Sequence, residues 1–378
     1  MSIRAYLTQF HEPPGYLDFG RYGPVSDDVA DALHRAAERM RCEGPAGGGA
    51  LAALEAETAR TTAAAARLLG AAEHEIAFNA STSHGMFAAA YAFEGPGAVL
   101  VGRRDFPAAV YPWLRAEGYG GLKVRFVDGP MTVDAVRARL DDEVRAVCVC
   151  AADSMTGFLA PLAGLKELIG PRRVLVVDAI QALGAVPVAT DAADVLAGGG
   201  QKWLRSGWGT AMLLVRDRVA DQLRPGLGGW AGVRDPFAGA DHPHAPLPGA
   251  QAQLISNPDC MGLAALGAGL RLLLDAGVDR IGALVRQAVG ELVEAALTCG
   301  LETDWAPTGE GSGGPIARVR LPGAAASELH AALARQGLTT TLRGDWVRLS
   351  PHASTLTRDP DVGSRLVDAV RGLRAAVR

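Results

Sequence analysis

From residue 75 onward, short apolar runs of strand type alternate with longer stretches whose apolar residues recur at helical spacing. The runs are Glu75 to Asn79, Ala98 to Val101, Val124 to Val127, Arg145 to Cys150 and Val174 to Asp178. Between them, segments such as Met131 to Leu140 and Leu162 to Ile169 place apolar residues three and four apart, as on one face of a helix. Strands alternating with helices predict an α/β fold with a mostly parallel sheet covered on both faces. Ligands of such sheets gather beyond the carboxyl ends of the strands, so the residues that follow each run are the ones to search.

The flanks fill in the rest. Ser26 is placed to cap a helix running through Met40, followed by a glycine-rich break from Gly44 to Gly49 and an alanine-rich helix ending near Gly70. Two further apolar runs, Asp194 to Leu196 and Thr210 to Val215, flank a glycine-rich turn. The stretch Pro225 to Pro258 is rich in Gly, Pro and His without periodicity, which predicts a long loop over a site or an interface. The last third reads as a small α+β domain: helices from Met261 to Ala276 and on to Cys299, strand-like Ile316 to Leu321, a helix from Ser327 to Gln336, strand-like Trp346 to Ser350 and a closing helix from Asp361 to Val377. The expected division is an N-terminal segment (1–24) contributing to the active site or the small domain, a large domain (25–260) and a small C-terminal domain (261–378).

Composition narrows the function. With 378 residues, 49% of them hydrophobic, the chain has material for a substantial core. A net charge of −4 offers no basic field for nucleic acid, and no polybasic run marks an anionic membrane surface. Five cysteines form no CxxC pair, and no run approaches the ~18 apolar residues of a membrane span, so a reducing cytoplasm is the expected compartment. His242 and His244 lack a third ligand at a usual spacing, so no metal site is expected. Of the 37 basic side chains, only Lys123, Lys166 and Lys202 are lysines.

That scarcity gives Lys202 its weight. Asp178 ends a buried-type strand, and 24 residues later Lys202 follows three glycines. A carboxylate at a strand end is costly to bury unpaired. Taken alone, Asp178 reads equally well as a turn cap and Lys202 as a solvated charge. Pyridoxal phosphate explains both at once. Its aldehyde needs a primary amine, which arginine cannot supply, and its ring nitrogen needs a carboxylate to stay protonated and act as an electron sink. Its phosphate finds a cradle in Asn79-Ala-Ser-Thr-Ser-His-Gly85, where hydroxyl residues open a helix and free amides favour an anion.

With these residues in place, the chain resembles the class V aminotransferase family of pyridoxal-phosphate enzymes, in its isopenicillin N epimerase-like and cysteine desulfurase-like branch. The resemblance runs from Tyr16-Leu-Asp-Phe-Gly-Arg-Tyr-Gly-Pro24 to Trp346-Val-Arg-Leu-Ser-Pro-His352. It implies the aspartate aminotransferase-like fold type I: a large domain with a seven-stranded, mostly parallel sheet, and a homodimer with the active site at the interface. Lys202 is then the residue that forms the Schiff base, Asp178 the partner of the pyridine nitrogen, and Gln181 a hydrogen-bond partner of the cofactor's phenolic oxygen. Thr82 and Ser83 bind phosphate, with Gln201 standing where desulfurases place a histidine. Phe106, in Asp105-Phe-Pro, falls where the family stacks a ring on the cofactor. Ser154 lies where many relatives use asparagine, and Asn257 aligns with a Gly-Thr motif that reaches the phosphate from the partner subunit. Arg348 corresponds to the arginine that holds the substrate α-carboxylate through paired hydrogen bonds.

Departures from the pattern shape the expected reaction. Desulfurases carry a sulfur-accepting cysteine shortly before this arginine, and Gly337 to Asp345 contains none. Gly199 replaces a frequent hydroxyl residue, and Gln201 lacks the charge of a histidine. The expectation is an enzyme that deprotonates Cα of an α-amino acid, best fitted to β-elimination as a carbon-sulfur lyase on a cysteine conjugate. Transamination and epimerisation stay open, as does, from another class, a non-catalytic scaffold of the same fold. A nicotinamide enzyme is disfavoured because no GxGxxG opens a helix after an early strand.

Overall fold

Every apolar run read between residues 75 and 215 contributes a strand to one sheet. The computed structural model describes residues 1–43, 48–239 and 241–377. The strands are β1 (Ile76–Asn79), β2 (Ala98–Gly102), β3 (Lys123–Val127), β4 (Val144–Cys150), β5 (Val174–Asp178), β6 (Val195–Gly199) and β7 (Ala211–Val215). They form a seven-stranded sheet in the order β1-β7-β6-β5-β4-β2-β3, in which only β7 runs antiparallel to its neighbours. Because successive side chains point to opposite faces, Leu175 and Val177 of β5 enter one apolar cluster while Val174 and Val176 enter the other. Each such buried side chain stabilises the fold by about 1.5–3 kcal/mol. At the foot of β6, the buried Asp194 accepts from Lys166 Nζ at 2.6 Å, Arg218 Nε at 2.6 Å and Leu175 N at 2.7 Å, which commits Lys166 to the fold.

Helices cover both faces. Ser26 Oγ accepts from Val29 N at 3.3 Å and caps the helix Asp27–Glu43. The helix Gly48–Leu69 follows; residues 44–47 of the expected glycine-rich break lie outside the described residues. Helices Cys260–Ala276 and Val278–Thr298 match the expected pair and carry many fully buried residues. Among the described residues no single helix is long and apolar enough to cross a membrane. The helix Pro107–Glu117 was not among the expected elements, because two prolines break its pattern. Pro107 sits in the first turn, where its missing N–H costs nothing.

A second sheet has three antiparallel strands, β8 (Ala317–Val319), β9 (Thr341–Arg343) and β10 (Trp346–Leu349), in the order β8-β10-β9. Val347 and Leu349 enter its own core with Leu333 and Leu366, which turns Arg348 to the other face. The N-terminal segment threads between the two sheets, bridging Tyr16 to Thr339 and Asp18 to Ser350. It is fastened by Arg205, which lies three residues beyond Lys202 and is only 2% exposed. Its guanidinium donates to Glu12 Oε2 at 2.5 Å, to Ser354 Oγ at 3.2 Å and to His352 Nδ1 at 3.2 Å, and lies 3.7 Å from the centroid of the Phe10 ring. Arg205 also holds a left-handed φ of 52°, a conformation that a non-glycine residue keeps only when its surroundings impose it.

This clamp ties the N-terminal segment, the lysine loop and the small sheet into one unit. Arg205→Ala leaves Glu12 buried without its ion-pair partner, and the expected loss is about 3–5 kcal/mol in urea unfolding. A loss below about 1 kcal/mol, the worth of an exposed pair, would show that the clamp does not hold these parts together.

Candidate active site

The loops after β1, β2, β5 and β6 converge at one edge of the large sheet, because those strands all run in the same direction. There, with β9, β10 and the N-terminal segment, they enclose a cavity of about 320 Å³ lined by Lys202, Asp178, Thr82, Ser83, Phe106, Gln181, Gln201 and Arg348. Gly20, Arg21, Trp208 and Arg343 are also part of its wall.

Lys202 and Asp178 arrive there from neighbouring strands, since Asp178 pairs with Ala197 in the parallel register of β5 and β6. The lysine loop is closed by Ser206 N to Gly200 O at 2.8 Å and Gly200 N to Thr210 O at 3.1 Å. It is pressed against the N-terminal segment, where Gly23 N donates to Gln201 O at 2.8 Å and any side chain at Gly23 would collide with the Lys202 carbonyl. Asp178 Oδ1 accepts from Ile180 N at 3.1 Å, while its Oδ2 is buried without a partner. Burial raises the Asp178 carboxyl above its ordinary range and brings the Lys202 amine down to about 8. Their mutual attraction opposes both shifts and is outweighed, and Arg348 lowers the amine further. The Lys202 Nζ lies 5.4 Å from the centroid of the Phe106 ring.

The end of β1 opens into the helix Thr82–Tyr91. Ser81 is its cap, accepting from His84 N at 3.1 Å, which leaves Thr82 and Ser83 to face the cavity. Thr82 Oγ1 is buried with no partner. A side chain at Gly199 would come within 3.0 Å of that hydroxyl and crowd Gln201 as well, so glycine at this position keeps the cradle open.

Arg348 is 4% exposed. Its Nη1 donates to Ser154 O at 2.9 Å and its Nη2 to Asp18 Oδ1 at 3.0 Å, whereas Nε is buried and free. Gly20 packs flat on it: an added Cβ would stand 3.1 Å from Cζ.

Three expected residues sit differently from the rest. Ser154 meets the site through its carbonyl, not its hydroxyl, because the Asp153 side chain folds the Ser-Met-Thr turn around itself, accepting from Met155 N and Thr156 N. Gln181 already spends both ends of its amide, donating to Gly20 O at 2.9 Å and accepting from Trp203 Nε1 at 3.1 Å. Asn257 is exposed on the long loop and does not line this cavity. His242 bonds to Asp241 at 2.6 Å and His244 to the Arg234 carbonyl at 3.0 Å, and no metal-binding cluster exists among the described residues. Sequence reasoning missed Asp18, Gly20, Arg21 and Arg343. The first three stand inside the quoted Tyr16–Pro24 motif, which was the available signal.

Among the described residues, three buried polar atoms without partners, Thr82 Oγ1, Asp178 Oδ2 and Arg348 Nε, belong to the wall of this one cavity, together with the Lys202 amine. The set fits pyridoxal phosphate: hydroxyls for the phosphate, a carboxylate for the ring nitrogen, an amine for the aldehyde and a guanidinium left over for a substrate.

Comparison with known proteins agrees. The chain is 28% identical over 293 residues to the uncharacterized aminotransferase YcbU of Bacillus subtilis, covering 76% of each chain. It is 34% identical over 227 residues to a kynureninase of Deinococcus radiodurans, covering 57% of this chain and 53% of that protein. Its fold matches the cystine C-S lyase C-DES with a TM-score of 0.84 at 16% identity, over 94% of this chain and 97% of that one. The sequence pattern of the family Aminotransferase class-V matches residues 28–345. The chain therefore belongs to the class-V aminotransferase family and is a pyridoxal-phosphate-dependent enzyme.

Proposed function

We propose that the protein is a carbon-sulfur lyase that cleaves the Cβ–S bond of a cysteine conjugate. The observation that carries this reading is a cavity furnished with an amine, an acid and a free guanidinium edge but no thiol. None of the five cysteines lines it: Cys150 is buried behind the wall, beside Asp178 on the neighbouring strand, Cys148 and Cys299 are buried, and Cys42 and Cys260 lie outside the wall. A sulfur leaving the substrate therefore departs with it and is not passed to an enzyme cysteine. The structural likeness to the cystine C-S lyase supports the same reading.

When bound, the coenzyme supplies an aldehyde carbon for an amine and a ring that accepts the electrons of a broken Cα–H bond. Asp178 Oδ2 holds the proton on the ring nitrogen, and the pairing offsets the cost of its burial. Thr82, Ser83 and the free N–H groups of the helix start hold the phosphate, with Gln201 beside them. Phe106 covers one face, and Gln181 uses its remaining hydrogen-bonding capacity toward the phenolic oxygen. Asn257 acts from the partner subunit of a homodimer; the loop that carries it exposes Trp230 and Phe237, an apolar face suited to a second copy. Arg348 Nε takes the α-carboxylate, aided by the Ser154 carbonyl that fixes the guanidinium. The Lys202 amine would be the base that takes the Cα proton. The net reaction would cleave the Cβ–S bond of the substrate and consume water, releasing thiol, pyruvate and ammonia.

Lys202 governs the pH dependence. An amine at about 8 keeps roughly a tenth of its population neutral at pH 7, against about one part in three thousand for a lysine at 10.5. Since only the neutral form is nucleophilic, the rate at which the apo-protein takes up the coenzyme should rise with pH and level off above about 8. A rate still climbing toward pH 10 contradicts the shift. Sodium borohydride should fix the coenzyme to the peptide containing Lys202, and Lys202→Ala should carry none; labelling of Lys123 or Lys166 instead would refute the assignment. With cofactor loading intact, Arg348→Ala should weaken amino acid binding roughly 10- to 100-fold, the worth of a lost charge-assisted hydrogen bond. Equal affinity removes Arg348 from the site. Incubation of the holoenzyme with S-substituted cysteines should yield pyruvate and thiol together. Keto acid without thiol would indicate transamination, and deuterium uptake at Cα without turnover would indicate epimerisation.

A further inference from the structure

Beyond the α-carboxylate anchor, the cavity wall holds two more arginines, Arg21 and Arg343. They reach it from different elements. Arg21 directly follows Gly20, whose backbone lies on the Arg348 guanidinium. Arg343 is on β9 opposite Trp346, two residues beyond Thr341, which pairs with Arg348 across the strands. In an antiparallel pair, residues two apart share a face, so Thr341, Arg343, Trp346 and Arg348 all point the same way.

Their neighbours on this sheet are neutralised and they are not. Arg318 pairs with Asp304 and Arg320 with Glu302, and both guanidiniums lie on the Trp346 ring. Arg348 pairs with Asp18. Among the described residues, Arg21 and Arg343 make no side-chain hydrogen bond or ion pair, and both are exposed at the cavity mouth. The wall's only carboxylate, Asp178, lies deep beside Lys202. Both arginines are near enough to repel the charge of Arg348. A neutral side chain would leave this excess positive charge unanswered.

We propose that Arg21 and Arg343 form a second anion subsite, and that the substrate is an amino acid whose side chain ends in its own carboxylate. The proposal rests on the reading of Arg348 as the α-carboxylate anchor. With the first carboxylate on Arg348 Nε, a distal carboxylate is drawn to the mouth, where Arg21 and Arg343 stand. Because both arginines are exposed, the preference they create is screened by salt.

The test uses holoenzyme and two probes, S-carboxymethylcysteine and the uncharged S-ethylcysteine, with affinity read from the change in coenzyme absorbance and by calorimetry. The wild-type protein should prefer the carboxylated probe roughly five- to tenfold at low salt, the preference shrinking as salt is raised. Arg21→Gln and Arg343→Gln should each reduce it, and the double variant should bring the ratio near one. Both positions are exposed and unpaired, so folding is little affected. Equal affinity of the wild-type protein for the two probes, with both still weakened by Arg348→Ala, overturns the second subsite alone. Loss of coenzyme from the Arg21 or Arg343 variants would assign these arginines to the cofactor phosphate and also overturn it. If neither probe binds, the amino-acid reading of the site falls and the subsite falls with it.

Discussion

A lysine amine held out of water is the constraint on which the rest of the molecule depends. Burial disfavours its charge, and the same burial disfavours the charge of Asp178 on the neighbouring strand, so each group is left partly unsatisfied. A protein keeps such a pair only where the scaffold leaves it no alternative. The closed β6–β7 loop, the contact of Gly23 with the Lys202 carbonyl and the Arg205 clamp three residues on are the restraints that prevent the lysine from swinging out to solvent. Reactivity and fold are thus linked: relaxing the clamp would hydrate the amine and return it toward an ordinary lysine.

The site is also organised by a division of charge. Arg348 is balanced by Asp18 yet keeps one buried N–H free, so it can orient an anion without carrying an unanswered charge of its own. The cradle at the start of the Thr82–Tyr91 helix offers hydroxyls and backbone amides, with the uncharged Gln201 beside them. Full positive charge is reserved for the mouth. The large sheet brings Lys202, Asp178, Thr82 and Ser83 to the cavity, and the small sheet with the N-terminal segment brings Arg348, Arg343 and Arg21.

Much of this was legible from the chain. The strands β1 to β7 were visible because a sheet covered on both faces writes its strands as continuous apolar runs, and Asp178 and Lys202 stood out as polar residues where such runs end. Other features were hidden for physical reasons. Strand β9 reads Thr-Leu-Arg and carries too little apolar pattern to register, so Arg343 could not be assigned to a face. The helix Pro107–Glu117 was masked by its prolines. Gln181 was expected to hydrogen-bond the cofactor's phenolic oxygen; its bonds to Gly20 and Trp203 come from residues 161 positions before it and 22 after, which spacing does not reveal. The same holds for Asp18 and Arg348, which lie 330 positions apart in sequence and meet only in the fold.

The scarcity of lysine gives direct access to the central claim. With only Lys123, Lys166 and Lys202 in the chain, apo-protein labelled with ¹³C and ¹⁵N in lysine gives three side-chain resonances whose titration can be followed one by one. One of them should titrate at about 8 and be missing from the spectrum of Lys202→Ala. A Lys202 resonance that titrates above about 10, as a solvated lysine does, would contradict the account.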